Sequence, residues 1–244
     1  MTFERKILIT ADATRWPNGV LPSEISSRMR LRDTNISLAL LHVGLWTRPP
    51  YFRGFDLADC WAWLRYSRMF ALSPNLRFCS EWTDIDPHQK TVASDELGVG
   101  FTTQFLIEEL GFQVFVDTGL LCRLIPSAFM IGMSQGKKRG PEKTPDYIAF
   151  DRFGCFSILE CKGSQTSLGD LRSRMQNGQL QKANVTVANS VPFRYSLVAG
   201  LFVPQAGSRE LATLQINDPS WPEVAQLISE TPHRELLITI ARIA

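Results

Sequence analysis

The pattern of apolar and polar positions becomes regular after residue 87, where it predicts helices and strands in succession. Residues 95–110 have the apolar spacing of a helix, which Ser94 can cap and Gly111 can end. Apolar runs bounded by turn residues predict strands over 112–119, over 120–127 and over the two halves of 145–164, which the turn DRFG joins. A helix over 167–185, a strand over 195–204, a helix near 221–230 and a strand over 235–243 follow. This order predicts an α/β fold with a central mixed β-sheet flanked by helices.

Residues 1–86 differ from the rest in being rich in aromatic residues. They contain five of the six tryptophans: Trp16, Trp46, Trp61, Trp63 and Trp82. Asp56 is a suitable N-cap for a helix over 57–72, in which aromatic side chains alternate with arginines. We favour a core-packing helix here over a surface that stacks on bases or buries a partner. We therefore expect a partly helical N-terminal extension (1–86), available for recognition or partner docking, and a second domain (87–244).

A charged cluster interrupts the apolar segments of residues 145–164. Because side chains alternate between the two faces of a strand, Glu160 and Lys162 emerge on the same face. Asp146 follows a proline at the start of the preceding strand, 14 residues before Glu160, and a hairpin would bring the two acids together. Neighbouring carboxylates repel each other, and Mg²⁺, which takes one or two carboxylates and keeps several waters, removes that repulsion.

The residues Pro145-Asp146, followed by Glu160-Cys161-Lys162, resemble the PD-(D/E)xK signature of the restriction-endonuclease-like nucleases. The resemblance implies a restriction-endonuclease-like core. It also implies that Asp146 and Glu160 bind Mg²⁺, with Mn²⁺ as a substitute, and that the backbone carbonyl of Cys161 assists them. Lys162 would orient or activate the attacking water and offset charge on the phosphate.

The resemblance extends over residues 91–204 and implies an acidic residue on the helix that precedes the sheet. Glu96, in the first turn of the helix expected after Ser94, matches this position as a further catalytic and metal-binding residue, and Asp95 is the alternative. Glu96 shares a helical face, which we expect to pack on the sheet, with Gly100, Thr103 and Ile107. A simpler interpretation is that Glu96 complements the dipole at the N-terminus of the helix.

Polar residues after Lys162 are auxiliary candidates. On the helix over 167–185, Gln179 and Lys182 continue the apolar side, where many members of the family carry Gln, Lys or Arg. They are therefore candidate catalytic residues, and Lys182 is also a candidate phosphate contact, whereas a frayed helix end explains Gln179 equally well. Ser164 can bond a phosphate oxygen or serve as a turn or cap residue.

The charge balance restricts how the protein can bind nucleic acid. A net charge of +2 lacks the strongly basic character of a dedicated nucleic-acid coat, so contact must come from local patches. One such patch precedes Asp146 and consists of Lys137, Lys138 and Arg139. It can contact the nucleic-acid backbone or remain a solvated loop.

Cysteine usage and hydropathy predict the compartment. The five cysteines are scattered without a CxxC pair, which argues against a disulfide framework or a structural zinc site and favours a reducing cytoplasm. No run of 18 apolar residues occurs in the sequence, so we expect neither a signal peptide nor a membrane span.

The resemblance to the restriction-endonuclease-like nucleases implies a metal-dependent endonuclease that hydrolyses DNA, and we expect it to act as an effector or subunit of a bacterial antiphage defence or restriction system. We expect a homo-oligomer or a protein partner that regulates or targets cleavage. Two alternatives stay open. One is a non-catalytic nucleic-acid-binding or scaffold subunit of a repair or transposition complex that retains the fold. The other is an unrelated α/β protein in which Glu160 and Lys162 form a structural pair with the loop GKKRG (residues 136–140) or with helix residues.

Overall fold

A computed structural model of the 244-residue chain describes residues 3–48, 55–125, 129–131, 144–182, 185–187 and 193–218. Within them the strands are β1 Glu4–Thr10, β2 Leu31–Asn35, β3 Phe112–Asp117, β4 Phe129–Ile131, β5 Tyr147–Asp151, β6 Phe156–Ser164, β7 Val185–Val187, β8 Phe193–Phe202 and β9 Thr213–Asn217. The α-helices are α1 Ser23–Ser26, α2 Ile36–Trp46, α3 Trp61–Tyr66, α4 Pro87–Leu110, α5 Thr118–Leu124 and α6 Leu168–Lys182. Short 3₁₀ turns cover Ala13–Arg15, Pro17–Gly19, Leu57–Cys60, Ser67–Met69 and Ser80–Asp84.

Seven of the described strands form one mixed sheet in the order β2-β1-β9-β8-β6-β5-β3. The pairs β1–β9 and β6–β8 are parallel, and the other neighbouring pairs are antiparallel. Strands β4 and β7 form a separate antiparallel pair. The predicted α/β class with a mixed sheet flanked by helices is confirmed. Strands β1 and β2 belong to the same sheet, so the sheet is continuous across residue 86, where we expected a boundary.

Helices α4 and α6 cover opposite faces of β6 and β8. Helix α4 lies directly on β6 because glycines occupy the crossing point. A Cβ on Gly163 would lie 1.7 Å from the Ser94 carbonyl oxygen, and one on Gly98 would lie 2.6 Å from the Lys162 carbonyl oxygen. On the other face Gly178 lets α6 approach, because a Cβ there would lie 3.3 Å from Cε of Lys162. The central strand is therefore buried from both sides.

The main hydrophobic core fills the space between the sheet and the layer of α2 and α4. It combines the α4-facing side chains of the sheet with aromatic residues of the N-terminal region, such as Trp16, Tyr66 and Phe78. A smaller core on the other face joins α6 to β8 through four buried residues: Leu171, Met175, Val198 and Phe202. The aromatic N-terminal region thus contributes to the same core as the predicted second domain.

Helix α4 begins at Pro87, well before the start that we predicted at Ser94. The Asp86 carboxylate caps it by accepting from the N–H groups of His88 and Gln89, and proline suits the first helical position. The hydroxyl of Ser94 instead donates to the Lys90 carbonyl inside the helix. Glu96 therefore lies outside the first turn, and the dipole explanation for its position does not hold.

The strand predicted over 120–127 is wrong in its helical part, because residues 118–124 form α5. Asp117 caps this helix by accepting from the N–H of Leu120 at 2.6 Å. A short apolar run does not distinguish a buried strand from a buried helix, and the cap at its start decided the outcome. The predicted strands at 112–119, 145–164 and 195–204 and the helix at 167–185 are confirmed with small changes of bounds.

The remaining predictions have mixed outcomes. Asp56 is a cap, but it begins a 3₁₀ turn that leads into the short helix α3 rather than one helix over 57–72. Strands β1, β2 and β9 were not predicted. The elements expected at 221–230 and 235–243 lie outside the described residues. None of the helices in the described part of the chain combines the length and apolar character that a membrane crossing requires.

The contact between α4 and β6 predicts a large effect of a single methyl group. We expect Gly163→Ala to lower the free energy of unfolding by about 3 kcal/mol, because the new Cβ meets backbone rather than a flexible side chain. Urea unfolding followed by tryptophan fluorescence measures this. The control is Gly169→Ala on α6, where the nearest atom is 3.6 Å away and stability should be unchanged or higher. Equal effects of the two substitutions would contradict the packing described.

Candidate active site

The candidate site forms where β5 and β6 separate. Tyr147 is the first residue of β5 and pairs with Leu159, whereas β6 continues to Ser164 alongside β8. The described part of β5 does not extend alongside Cys161, and the side chain of Asp146 pairs with this residue instead. Its Oδ2 accepts from the Cys161 backbone N–H at 2.7 Å. The N–H and C=O of one strand residue point to the same edge of the strand, so the Cys161 carbonyl also faces this open edge.

Glu160 lies fully buried on β6, under α6. Its Oε2 accepts from the Asp146 backbone N–H at 3.1 Å, and its Oε1 forms an ion pair with Nζ of Lys162. Asp146 and Glu160 are thus connected directly, as the hairpin predicted. Burial and the neighbouring charge of Asp146 raise the pKa of Glu160 to about 8.

Lys162 carries the positive charge of this cluster. Burial alone lowers its pKa, but the carboxylates of Glu160 and Asp146 outweigh burial and raise the pKa above its ordinary value. Lys162 is therefore an ammonium group at neutral pH. Burial raises the pKa of Asp146, whereas the positive charge of Lys162 lowers it and only partly offsets the effect of burial. Asp146, Glu160 and Lys162 titrate as one coupled set, in which burial raises the pKa of both carboxyl groups and the positive charge of Lys162 opposes that rise.

A cleft of about 420 Å³ opens in front of the cluster. Its walls come from the end of α2, from α4, from β3 and from the split strands: Trp46, Thr47, Arg48, Asp95, Glu96, Val99, Asp117, Thr144, Pro145, Asp146, Tyr147, Cys161 and Lys162. Four of these residues are acidic and two are basic. The cleft is therefore suited to a cation bound among carboxylates.

Glu96 lines the cleft, but not through the packing that we predicted. The face of α4 that it shares with Gly100 and Thr103 packs on α2 rather than on the sheet, since Gly100 lies against the Ala39 carbonyl and Thr103 bonds His42. The hydroxyl of Tyr66 donates to Oε2 of Glu96. Burial raises the pKa of Glu96, while the Tyr66 hydrogen bond opposes that rise.

The oxygen donors at the split strands decide which metal site is feasible. Among the described residues, no three His, Cys, Asp or Glu side chains are grouped to share a metal ion, so Glu96 does not join Asp146 and Glu160. The two carboxylates and the Cys161 carbonyl are hard donors, and Mg²⁺ typically uses one or two carboxylates together with water and substrate phosphate. The donor types present therefore suit a two-carboxylate Mg²⁺ site and not a three-carboxylate one. Asp146 lines the cleft, whereas Glu160 is 0% exposed behind it and would have to turn toward the ion.

The auxiliary candidates lie away from the cleft. Gln179 is partly exposed on α6 and is not among the lining residues. Lys182 is only 3% exposed and donates to the Ser196 carbonyl, and burial lowers its pKa to about 8. Ser164, also 3% exposed, donates to Oδ2 of Asp170 at 2.7 Å. Neither Lys182 nor Ser164 is accessible to a phosphate as placed here. Residues 137–139 lie outside the described residues.

Sequence reasoning missed the part of the cleft that comes from the N-terminal region. Trp46, Thr47 and Arg48 line it, and Tyr66 bonds Glu96. No local signal marks these residues, because they reach the site only through the packing of α2 and α3 beside α4. Asp117 was also missed, although its position at the end of an apolar strand is a usable signal.

No family model, curated protein or solved structure matches this chain. What the site can do chemically therefore follows from its own residues. It holds two adjacent carboxyl groups, an ammonium group paired with one of them, and a polar cleft in front. This set can bind a divalent cation and stabilise negative charge on a bound ester.

The raised pKa of Glu160 predicts a pH dependence of stability without divalent cations. Between pH 4.5 and about 8 unfolded Glu160 is ionised while folded Glu160 keeps its proton, so stability falls as pH rises. Relative to wild type, Glu160→Gln should gain on the order of 3 kcal/mol between pH 5 and pH 8. Urea unfolding across this range measures the difference. The exposed Glu210→Gln serves as the control, and a pH-independent difference for Glu160→Gln would contradict the prediction.

Proposed function

We propose that this protein is a metal-dependent nuclease with a restriction-endonuclease-like core that hydrolyses phosphodiester bonds in DNA. The observation that carries the proposal is the cluster of Asp146, Glu160 and Lys162 at the open end of β6. Its members are joined by direct hydrogen bonds and an ion pair at the back of a cleft. The open edge of β6 and the cleft in front of it add to what the hairpin alone would give, because they leave room for a ligand beside the charged groups.

The chemistry of the donors assigns a role to each residue. Asp146, Glu160 and the Cys161 carbonyl would hold Mg²⁺, with Mn²⁺ as a substitute. When bound, such an ion supplies Lewis-acid stabilisation of the phosphate and lowers the pKa of a water molecule. Lys162, held as ammonium by the carboxylates, donates to the phosphate or to the attacking water and offsets the charge that grows on the phosphate oxygens. Its raised pKa argues against a role as general base.

Glu96 has a separate role in this proposal. It lies on the α4 wall of the cleft, and the Tyr66 hydroxyl fixes its carboxylate. A carboxylate oriented in this way can accept a hydrogen bond from a water molecule in the cleft. Glu96 would therefore orient water rather than contribute to the pair of carboxylates at the split strands.

The cellular role belongs to the same proposal. A nuclease without a strongly basic surface fits an effector or subunit of an antiphage defence or restriction system, in which a second copy or a regulatory partner directs cleavage. DNA is proposed as the substrate by analogy with the family that the motif resembles.

One observation favours a second candidate function. Glu160 and Lys162 form an ion pair with each other, and Glu160 is fully buried. A non-catalytic nucleic-acid-binding or scaffold subunit that retains the fold would have these features. The two functions differ in whether a divalent cation binds and whether DNA is cut.

Plasmid nicking tests the proposed activity. Purified protein should nick supercoiled DNA with Mg²⁺ or Mn²⁺ and not with EDTA, and Lys162→Ala should reduce the rate by at least about 10²-fold because charge stabilisation is lost. The matched control is Lys6→Ala, an exposed lysine on β1, which should retain full activity. Thermal melting of Lys162→Ala confirms that it folds. Metal-independent nicking, or full activity of Lys162→Ala, would contradict the mechanism.

A thermal-shift titration tests the metal site without a substrate. Mg²⁺ at about 100 times its dissociation constant should stabilise the wild-type protein by about 2.7 kcal/mol, and Asp146→Asn should abolish this shift. Asp33→Asn, an exposed aspartate on β2, should keep it. A wild-type melting temperature that does not respond to Mg²⁺ or Mn²⁺ would favour the non-catalytic alternative.

A further inference from the structure

A second concavity lies beside the cleft, on the other side of the first half of α4. It has a volume of about 420 Å³. Residues of α4, of the segment after β6 and of α6 line it, among them Lys90, Thr91, Ser94, Gln165, Thr166 and Arg174. We call it the basic groove, because the described residues that line it include two cations and no acid.

Arg174 is held in a defined position in the basic groove. Its Nε donates to Oδ2 of Asp170 at 2.9 Å, and its NH1 lies 3.7 Å from Oδ1 of Asp95. Both ion pairs are partly exposed, so solvent weakens them, and a guanidinium group has five N–H donors. Donors remain for a ligand in the groove. Arginine also suits the bidentate recognition of phosphate.

The other donors of the basic groove are positioned by bonds to their neighbours. Nζ of Lys90 donates to the Thr83 carbonyl at 2.8 Å, which holds the ammonium group beside the N-terminus of α4. Oε1 of Gln165 accepts from the indole of Trp82 and from Nε2 of Gln205. In the described part of the chain the hydrogen bonds of Gln165 use its Oε1, which leaves the two N–H donors of its amide for a ligand at the groove. An anion would meet several fixed donors and no carboxylate among these described lining residues.

The basic groove and the acidic cleft share a wall. Asp95 lines the cleft, is 55% exposed, and pairs with Arg174 of the groove. The nearby charge of Lys162 also lowers the pKa of Asp95, although burial raises that pKa overall. A site for a cation and a site for an anion thus lie on either side of one residue. A nucleic-acid strand meets this arrangement when one phosphate is bound through the cation in the cleft and a neighbouring phosphate is bound by the cations of the groove.

We propose that the basic groove binds the backbone phosphate next to the one that is cleaved, so that the nucleic-acid strand runs from the cleft across Asp95 into the groove. This inference rests on the proposed function. The contacts are made to phosphate and carry no sequence information. The groove therefore supplies affinity and register for the strand and leaves sequence selection to other parts of the protein.

The test is direct binding of a fluorescein-labelled single-stranded oligodeoxynucleotide, measured by anisotropy at several salt concentrations in EDTA. All proteins carry Lys162→Ala so that no cleavage occurs. Adding Arg174→Gln and Lys90→Gln should weaken binding about tenfold and reduce the salt slope by about 0.7 per removed cation, the value for single strands. Arg174→Lys keeps the positive charge and should therefore weaken oligonucleotide binding less than Arg174→Gln does. Arg172→Gln, an exposed position on α6 that does not line the groove, should change nothing.

The outcomes separate this inference from the proposed function. If the double substitution leaves oligonucleotide binding unchanged, the proposed phosphate site in the basic groove is wrong. Plasmid nicking by the protein with Lys162 intact would in that case still support the proposed nuclease activity. Absence of both nicking and oligonucleotide binding overturns both. Inorganic phosphate that binds through Arg174 as tightly as the oligonucleotide would show a site for free anions and overturn the backbone assignment. Melting curves of each variant exclude unfolding as the cause.

Discussion

The close approach of α4 to β6 is the constraint on which the site depends. Gly98 and Gly163 remove the side chains that would otherwise separate the helix from the central strand, so backbone contacts backbone at the crossing. The crossing places Asp95 and Glu96 over the open end of β6 and leaves Lys90 and Ser94 on the far side. One helix thus forms a wall of an acidic cleft and of a basic groove. A bulkier residue at the crossing would shift both together.

The second determinant is the cost of burying charge on β6. Glu160 is inaccessible to water, and such a position is tolerated only with compensating contacts. Three are present: the ammonium of Lys162, the N–H of Asp146 and a retained proton near neutrality. A divalent cation would replace that proton, because it stabilises both carboxylates at once. The same electrostatic features thus explain why the group can be buried and why it suits a cation.

The N-terminal region is part of the site rather than an appendage. Strand β1 pairs with β9 in the main sheet, and α2 and α3 bring Arg48 and Tyr66 to the cleft. A further link crosses the sheet, where Arg194 bonds both Glu24 of the N-terminal region and the buried Asp151 of β5. Because these contacts join residues that are far apart in the chain, the cleft and the sheet should form cooperatively.

The sequence by itself determined the hairpin, the alternation that puts Glu160 and Lys162 on one face, and the proximity of Asp146. These follow from backbone geometry over a few residues, which operates wherever a strand forms. It also contained the cap at Asp86, which we overlooked in favour of Ser94, and the apolar run at 118–124 fits a buried strand and a buried helix equally well. Only the tertiary structure decided that Glu96 faces α2 and Tyr66, that Lys182 is buried, and that β1 and β9 complete the sheet. The physical reason is that the buried face of a helix, or the partner of a strand, is set by segments distant in sequence, and no local pattern specifies them.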